Sequence, residues 1–216
     1  MRDVYHEQLD SVGHTLVEMA ELVGQALSRA TRALLEADLP IAEAVIAADD
    51  AVDALHRELD VRTLDLMARQ QPVAGDLRML VTSLRMSADL ERMGDLARHI
   101  AKIARMRYPD CAIPEELRET IAQMGEIGAA LAQKVARIIQ DKDAEAASTL
   151  EDQDDTVDSL HRTVFTTLLS RDNPYTVEMA IDVTLVSRYY ERFADHAVSV
   201  ARRLVFLVTG EHDEPR

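Results

Sequence analysis

Aromatic residues, glycine, proline and cysteine are all scarce in this sequence, and each shortage excludes something. Aromatic residues make up 4% of the 216 residues, tryptophan is absent, and glycine and proline number only 7 and 6. Few helix breakers together with a hydrophobic share of 47% favour a helical globular protein over a disordered chain. The single cysteine, Cys111, excludes an internal disulfide and any zinc site of the C-x-x-C type.

Long apolar runs are also missing, and one sign of charge dominates. No apolar run approaches the roughly 18 residues of a membrane span, and residues 1–7 lack the apolar segment of a secretory signal. We therefore expect a cytoplasmic protein that meets membranes at most peripherally, through its partners. The 39 acidic and 24 basic residues give a net charge of −15, which disfavours nucleic acid and favours cations or basic protein surfaces.

Apolar periodicity and chain breakers predict six helices, each roughly 30 residues or 45 Å long. Apolar side chains recur at steps of three and four, the spacing of one helix face. Asp38 followed by Pro40 is typical of a helix start, and Gly210 of a helix end. The predicted helical stretches cover about 4–37, 39–69, 74–107, 114–140, 143–170 and 175–209.

An internal repeat divides these helices into two halves. Residues 49–57 (DDAVDALHR) match 154–162 (DDTVDSLHR), and 91–95 (ERMGD) match 191–195 (ERFAD), at offsets of 105 and 100. Each matching pair falls in the second and third helix of its half, and short loops make neighbouring helices antiparallel. We predict an all-α fold of two tandem antiparallel three-helix bundles with a pseudo-two-fold repeat, at 1–108 and 113–210, followed by a polar tail at 211–216.

Both copies of the repeat carry acidic pairs four residues apart, a spacing that places two carboxylates on one helix face. Two such pairs on adjacent helices converge on one patch, and hard cations prefer oxygen ligands of this kind. The candidate metal ligands are Asp49, Asp53, Glu91 and Asp95 in the first half and Asp154, Asp158, Glu191 and Asp195 in the second.

Other interpretations of these acids stay open. They can form a solvated acidic face, or be neutralised by the arginines that follow them, which are Arg57, Arg92, Arg162 and Arg192. The matching histidines His56 and His161 are expected to be surface or hydrogen-bonded groups rather than ligands, and Glu178/Asp182 fits the spacing by chance. No glycine-rich phosphate loop, H-E-x-x-H or G-x-S-x-G motif is present, so nothing predicts an enzyme.

Two further fragments stand out beside the four acidic pairs, residues 71–78 (QPVAGDLR) and 190–197 (YERFADHA). Together with the acidic pairs, which match the family's E(D)xxxD motifs, they make the chain resemble, over nearly its whole length, the PhoU family of phosphate-signalling proteins. It implies a non-catalytic cytoplasmic regulator that represses the phosphate-starvation response. In this family, the regulator couples a Pst-type phosphate ABC transporter to a PhoR-type sensor histidine kinase.

The resemblance also implies a homodimer and metal ions on the acidic motifs, with iron, zinc, manganese and magnesium as candidates. The two patches are expected to differ in affinity, because Tyr189 stands where the first copy has Asp89. Two competing hypotheses are a di-metal helical-bundle enzyme and a metal-free structural scaffold. Each half has only three predicted helices and no Glu-x-x-His pair, which argues against the enzyme.

Overall fold

The computed structural model describes residues 2–170 and 175–211 and contains only α-helices and connecting segments in these ranges. The predicted turn at 171–174 and the tail from 212 onward lie outside the described residues. The helices are α1 (Arg2–Glu36), α2 (Leu39–Gln70), α3 (Ala74–Arg107), α4 (Glu115–Asp141), α5 (Ala144–Ser148), α6 (Glu151–Leu168) and α7 (Val177–Thr209).

Local sequence signals account for most helix ends. The Asp38 carboxylate accepts a hydrogen bond from the backbone N–H of Ile41 at 2.9 Å and so caps α2. Gly210 ends α7 in the left-handed conformation, with φ at 78°, and its N–H donates to the carbonyl of Phe206. The predicted third helix, 74–107, is confirmed with the same bounds.

The predicted fifth helix is wrong in one respect, because the structure divides it into α5 and α6. The Ser148 and Thr149 hydroxyls donate to the carbonyls of Glu145 and Ala146, three residues back. Side-chain hydrogen bonds of this kind compete with the helical backbone ladder. Lys134 of α4 also donates to the Thr149 hydroxyl at 2.7 Å, which holds the break against the neighbouring helix.

The two predicted bundles are confirmed and pack side by side. The first contains α1, α2 and α3, and the second contains α4, α6 and α7 with the short α5. Contacts between α1 and α4 and between α3 and α7 join them, and the buried apolar residues of both halves form one core. Because the two halves share one core, the packing does not mark where one domain ends and the next begins. The predicted domain limits at 108 and 113 therefore stay a prediction.

Small residues allow the close approach of α1 and α4. A Cβ atom at Gly125 would lie 2.5 Å from the Thr31 side chain, and one at Gly128 would lie 2.6 Å from Leu27 Cδ2. The Thr31 hydroxyl also lies 2.7 Å from the buried Tyr190 hydroxyl of α7.

In the ranges that the structure describes, no helix has the length and hydropathy to cross a membrane.

Candidate functional site

The structure brings the predicted site residues together in two separate sets. The first patch consists of Asp49 and Asp53 on α2 with Glu91 and Asp95 on α3. The second patch consists of Asp154 and Asp158 on α6 with Glu191 and Asp195 on α7. In each patch, the charges of the other three members act on one aspartate, Asp49 in the first and Asp154 in the second.

The pKa of Asp49 is raised to about 6. Burial is the largest cause, and the negative charges of Asp53, Asp95 and Glu91 also act to raise it. Gly94 contributes to this arrangement, because a Cβ atom there would lie 3.1 Å from Asp49 Oδ1. Its absence lets α2 approach α3 at the level of the carboxylates.

Arg98 supplies a cation inside the first patch. Its Nη1 lies 2.5 Å from Asp49 Oδ2 and forms an ion pair with it, although this buried oxygen accepts no hydrogen bond. Its Nη2 donates a hydrogen bond to Asp95 Oδ1. Among the residues that the structure describes, Arg98 is therefore the basic side chain that opposes the raised pKa of Asp49. Arg92 donates to the other oxygen of Asp95 at 3.0 Å and lies 3.6 Å from Glu91. Three of the four carboxylates thus have an arginine partner.

In the described part of the chain, basic side chains reach the second patch only at its margin. Arg188 is half exposed and donates to Glu191 Oε1, and the exposed Arg162 lies 3.9 Å from Asp158. Among the described residues, Asp154 Oδ1 and Glu191 Oε2 are buried and have no hydrogen-bond partner. Buried polar atoms without partners are rare in native proteins and call for a physical explanation.

The pKa of Asp154 is also raised to about 6, but its causes differ from those at Asp49. Burial acts first, followed by the charges of Asp195, Asp158, Asp155 and Glu191, and no basic side chain of the described residues is among the causes. Burial likewise raises the pKa of Glu191, which Asp195 raises further and Arg188 lowers. The second patch therefore concentrates negative charge that the described part of the chain neutralises only in part.

These observations test whether the residues fit the metal ions that the resemblance implies. In the described ranges, no group of three or more His, Cys, Asp and Glu side chains has a geometry that could hold a metal ion, so metal binding at either patch requires side chains to move. The second patch has two buried carboxylate oxygens without a hydrogen-bond partner, whereas the one such oxygen of the first patch, Asp49 Oδ2, lies in an ion pair with Arg98. Of the two patches, the second is therefore the one that fits a cation. The first patch does not fit one, because Arg98 occupies the space between Asp49 and Asp95.

The matching histidines are hydrogen-bonded, as expected from the sequence. His56 Nδ1 lies 3.1 Å from Ser87 Oγ, and His161 Nδ1 lies 3.1 Å from Ser187 Oγ. Each serine hydroxyl donates its proton to a backbone carbonyl of its own helix. The histidine Nδ1 is then the donor in each pair.

Three further groups of contacts join α3 to α7 across the two bundles, and among the described residues none of them forms a metal site. Asp89 accepts from Arg203 at 2.6 Å and lies 3.1 Å from His196 Nδ1. Tyr189, which occupies the position of Asp89 in the second copy of the repeat, packs on the ring of His99. The chance pair Glu178/Asp182 binds Arg107, so that spacing serves a structural ion pair here.

Sequence reasoning missed the two arginines that distinguish the patches, Arg98 and Arg188. Of the arginines expected to neutralise the acids, Arg92 pairs with its own motif and Arg162 only at long range. The overlooked signal was helical spacing, because Arg98 follows Asp95 by three residues and Arg188 precedes Glu191 by three.

Comparison with known proteins gives consistent results over nearly the whole chain. The family model described as "PhoU domain" matches residues 16–104 and 121–204. The "Phosphate-specific transport system accessory protein PhoU homolog 2" of Mycobacterium tuberculosis is 47% identical over 97% of this chain and 99% of that protein. Homolog 1 of Mycobacterium leprae is 44% identical over 99% of this chain and 96% of its own length.

A solved structure agrees with these sequence matches. The crystal structure of PhoU from Pseudomonas aeruginosa superimposes with a TM-score of 0.87 at 27% identity, covering 96% of this chain and all of that one. The similarity therefore extends over both bundles.

Proposed function

This chain belongs to the PhoU family, and from that premise we propose that it is a cytoplasmic accessory protein of a phosphate transport system and represses the phosphate-starvation response. The observation that carries the proposal is the match to relatives named as accessory proteins of phosphate-specific transport, over 97% of the chain. These relatives are not named as enzymes, and we propose no catalytic activity.

The proposed role is that of an adaptor between a phosphate ABC transporter and a sensor histidine kinase. Both bundles expose apolar side chains at matching positions near the start of their third helix. These are Leu77 and Val81 on α3, and Val177 and Ile181 on α7. Exposed apolar patches on a protein surface favour contact with another protein. The exposed apolar side chains of α3 and α7 therefore support docking to a partner protein. The proposed homodimer would also form through exposed apolar surface of this kind.

Metal binding by the acidic patches is the other part of the proposal, with iron, zinc, manganese and magnesium as candidate ions. The buried, unpartnered oxygens of Asp154 and Glu191 support it most strongly. A bound cation would lower the negative charge of the patch and thereby change which partner surfaces it attracts. Metal content would then be coupled to the choice of partner.

A reporter of the phosphate-starvation response tests the adaptor role. In a strain that lacks this gene and any other family member, we expect the reporter to be expressed even at high phosphate. The wild-type gene should restore repression, and the double variant Val177→Asp/Ile181→Asp should not. Val208→Asp, on the same helix and also exposed, is the matched control and should restore it.

The same three proteins are then tested for capture by the transporter's ATPase subunit and by the cytoplasmic part of the kinase. The wild type and Val208→Asp should be captured, and Val177→Asp/Ile181→Asp should not. Repression that persists without the gene would contradict the regulatory role. Full repression by the double variant would contradict docking through this surface.

A further inference from the structure

The two patches differ at one position of the repeat. The offset that aligns Glu91 with Glu191 aligns Arg98 with Val198. Arg98 is about three-quarters buried and places its two terminal nitrogens against carboxylates from two different helices. Val198 is buried in the core and offers no charge to the second patch.

The Arg98 guanidinium and a metal ion would compete for the same oxygen atoms. Asp49 Oδ2 and Asp95 Oδ1, the atoms that face across α2 and α3, both lie against Arg98. An arginine side chain keeps its positive charge at any physiological pH, so it cannot vacate the patch by losing a proton. A divalent ion a few ångströms away would also be repelled by it.

We propose that Arg98 is the built-in cation of the first patch and closes that patch to metal ions, so that this chain binds metal in its second bundle only. The inference rests on the metal binding proposed above and narrows it to Asp154, Asp158, Glu191 and Asp195. The pseudo-two-fold repeat is then asymmetric in its chemistry, because the first bundle neutralises its own carboxylates and the second depends on ions from solution.

The test is the number of Mn²⁺ ions bound per chain, measured on the purified full-length protein by equilibrium dialysis and elemental analysis. We expect Arg98→Val, which copies the residue of the second bundle, to bind about twice as much Mn²⁺ as the wild type. Arg98→Lys keeps the positive charge and should bind the wild-type amount. Circular dichroism confirms that the variants are folded.

A second substitution locates the gained ions. Adding Asp49→Asn to Arg98→Val should return the content to the wild-type value, while Asp50→Asn, an exposed neighbour, should not. If Arg98→Val binds no more Mn²⁺ than a wild type that does bind it, Arg98 does not close the patch. If neither protein binds Mn²⁺ or the other candidate ions, the proposed metal binding itself is overturned.

Discussion

In the first patch, Asp49 and Asp95 face a guanidinium from their own bundle, and the buried Asp49 Oδ2, which accepts no hydrogen bond, lies in an ion pair with it. In the second patch, Asp154 and Glu191 each retain a buried oxygen with no partner among the described residues. Both patches have the same four acidic positions, and both hold an aspartate whose pKa is raised to about 6. The contrast indicates that one residue outside a repeated motif changes how far a patch is neutralised by its own bundle.

Loss of the internal cation should have the largest effect on the stability of the metal-free protein. Arg98→Val leaves Asp49 buried without its partner, and we expect the free energy of unfolding to fall by about 2 kcal/mol at pH 7.5. The melting temperature should then drop by about 4–8 °C. Thermal unfolding followed by circular dichroism measures this change.

The same variant should lose less stability at pH 5, where Asp49 can take up a proton and become neutral. Asp49→Asn combined with Arg98→Val is the control, because it removes the uncompensated charge and should recover part of the loss. An equal loss at both pH values would show that Arg98 acts through packing rather than through charge.

Removal of one charge from the second patch should have a smaller effect in the opposite direction. The raised pKa of Asp154 means that the folded chain holds this proton more tightly than the unfolded chain. Its contribution to stability is therefore full below about pH 4 and is lost as the pH rises through about 6.

Asp154→Asn should therefore stabilise the metal-free protein by about 1 kcal/mol at pH 7.5, since solvent screens part of the charge. At pH 4 it should have no stabilising effect. Urea unfolding at the two pH values measures the difference, and the exposed neighbour Asp155, changed to Asn, provides the control. A destabilised Asp154→Asn at pH 7.5 would contradict the description of this patch as under-neutralised.

The smallest effect is expected at the margin of the second patch. Arg188 is half exposed, and exposed ion pairs contribute about 0.2–1 kcal/mol. Arg188→Ala should lower stability by less than about 1 kcal/mol, similar to Arg32→Ala, which breaks an exposed pair with Glu36. A loss as large as that of Arg98→Val would mean that Arg188 fills the same role, and the two patches would not differ.

Local signals in the sequence predicted much of this fold. Asp38 and Gly210 marked helix ends because each has its effect within a few residues. The repeat located the acidic residues, since equal spacing on adjacent helices brings carboxylates together. The break at Thr149 was missed because it depends on hydroxyl hydrogen bonds and on Lys134 from another helix.

The pairing of charges depended on geometry that one helix does not contain. Arg98 is important because it reaches Asp49 across α2 and α3, a distance that helical spacing does not specify. Asp89 binds His196 and Arg203, a contact set by how the two bundles are oriented. An alignment of the two copies beyond their matching motifs would have predicted the difference between the patches, because it places an arginine at 98 opposite a valine at 198.

The most direct test of the account counts Mn²⁺ in two matched variants of the full chain. Asp49→Asn/Glu91→Gln removes charges from the first patch, and Asp154→Asn/Glu191→Gln removes the equivalent charges from the second. We expect the first variant to bind as much Mn²⁺ as the wild type and the second to bind almost none. Equal, half-maximal losses in both variants would contradict the account, because both bundles would then bind metal alike.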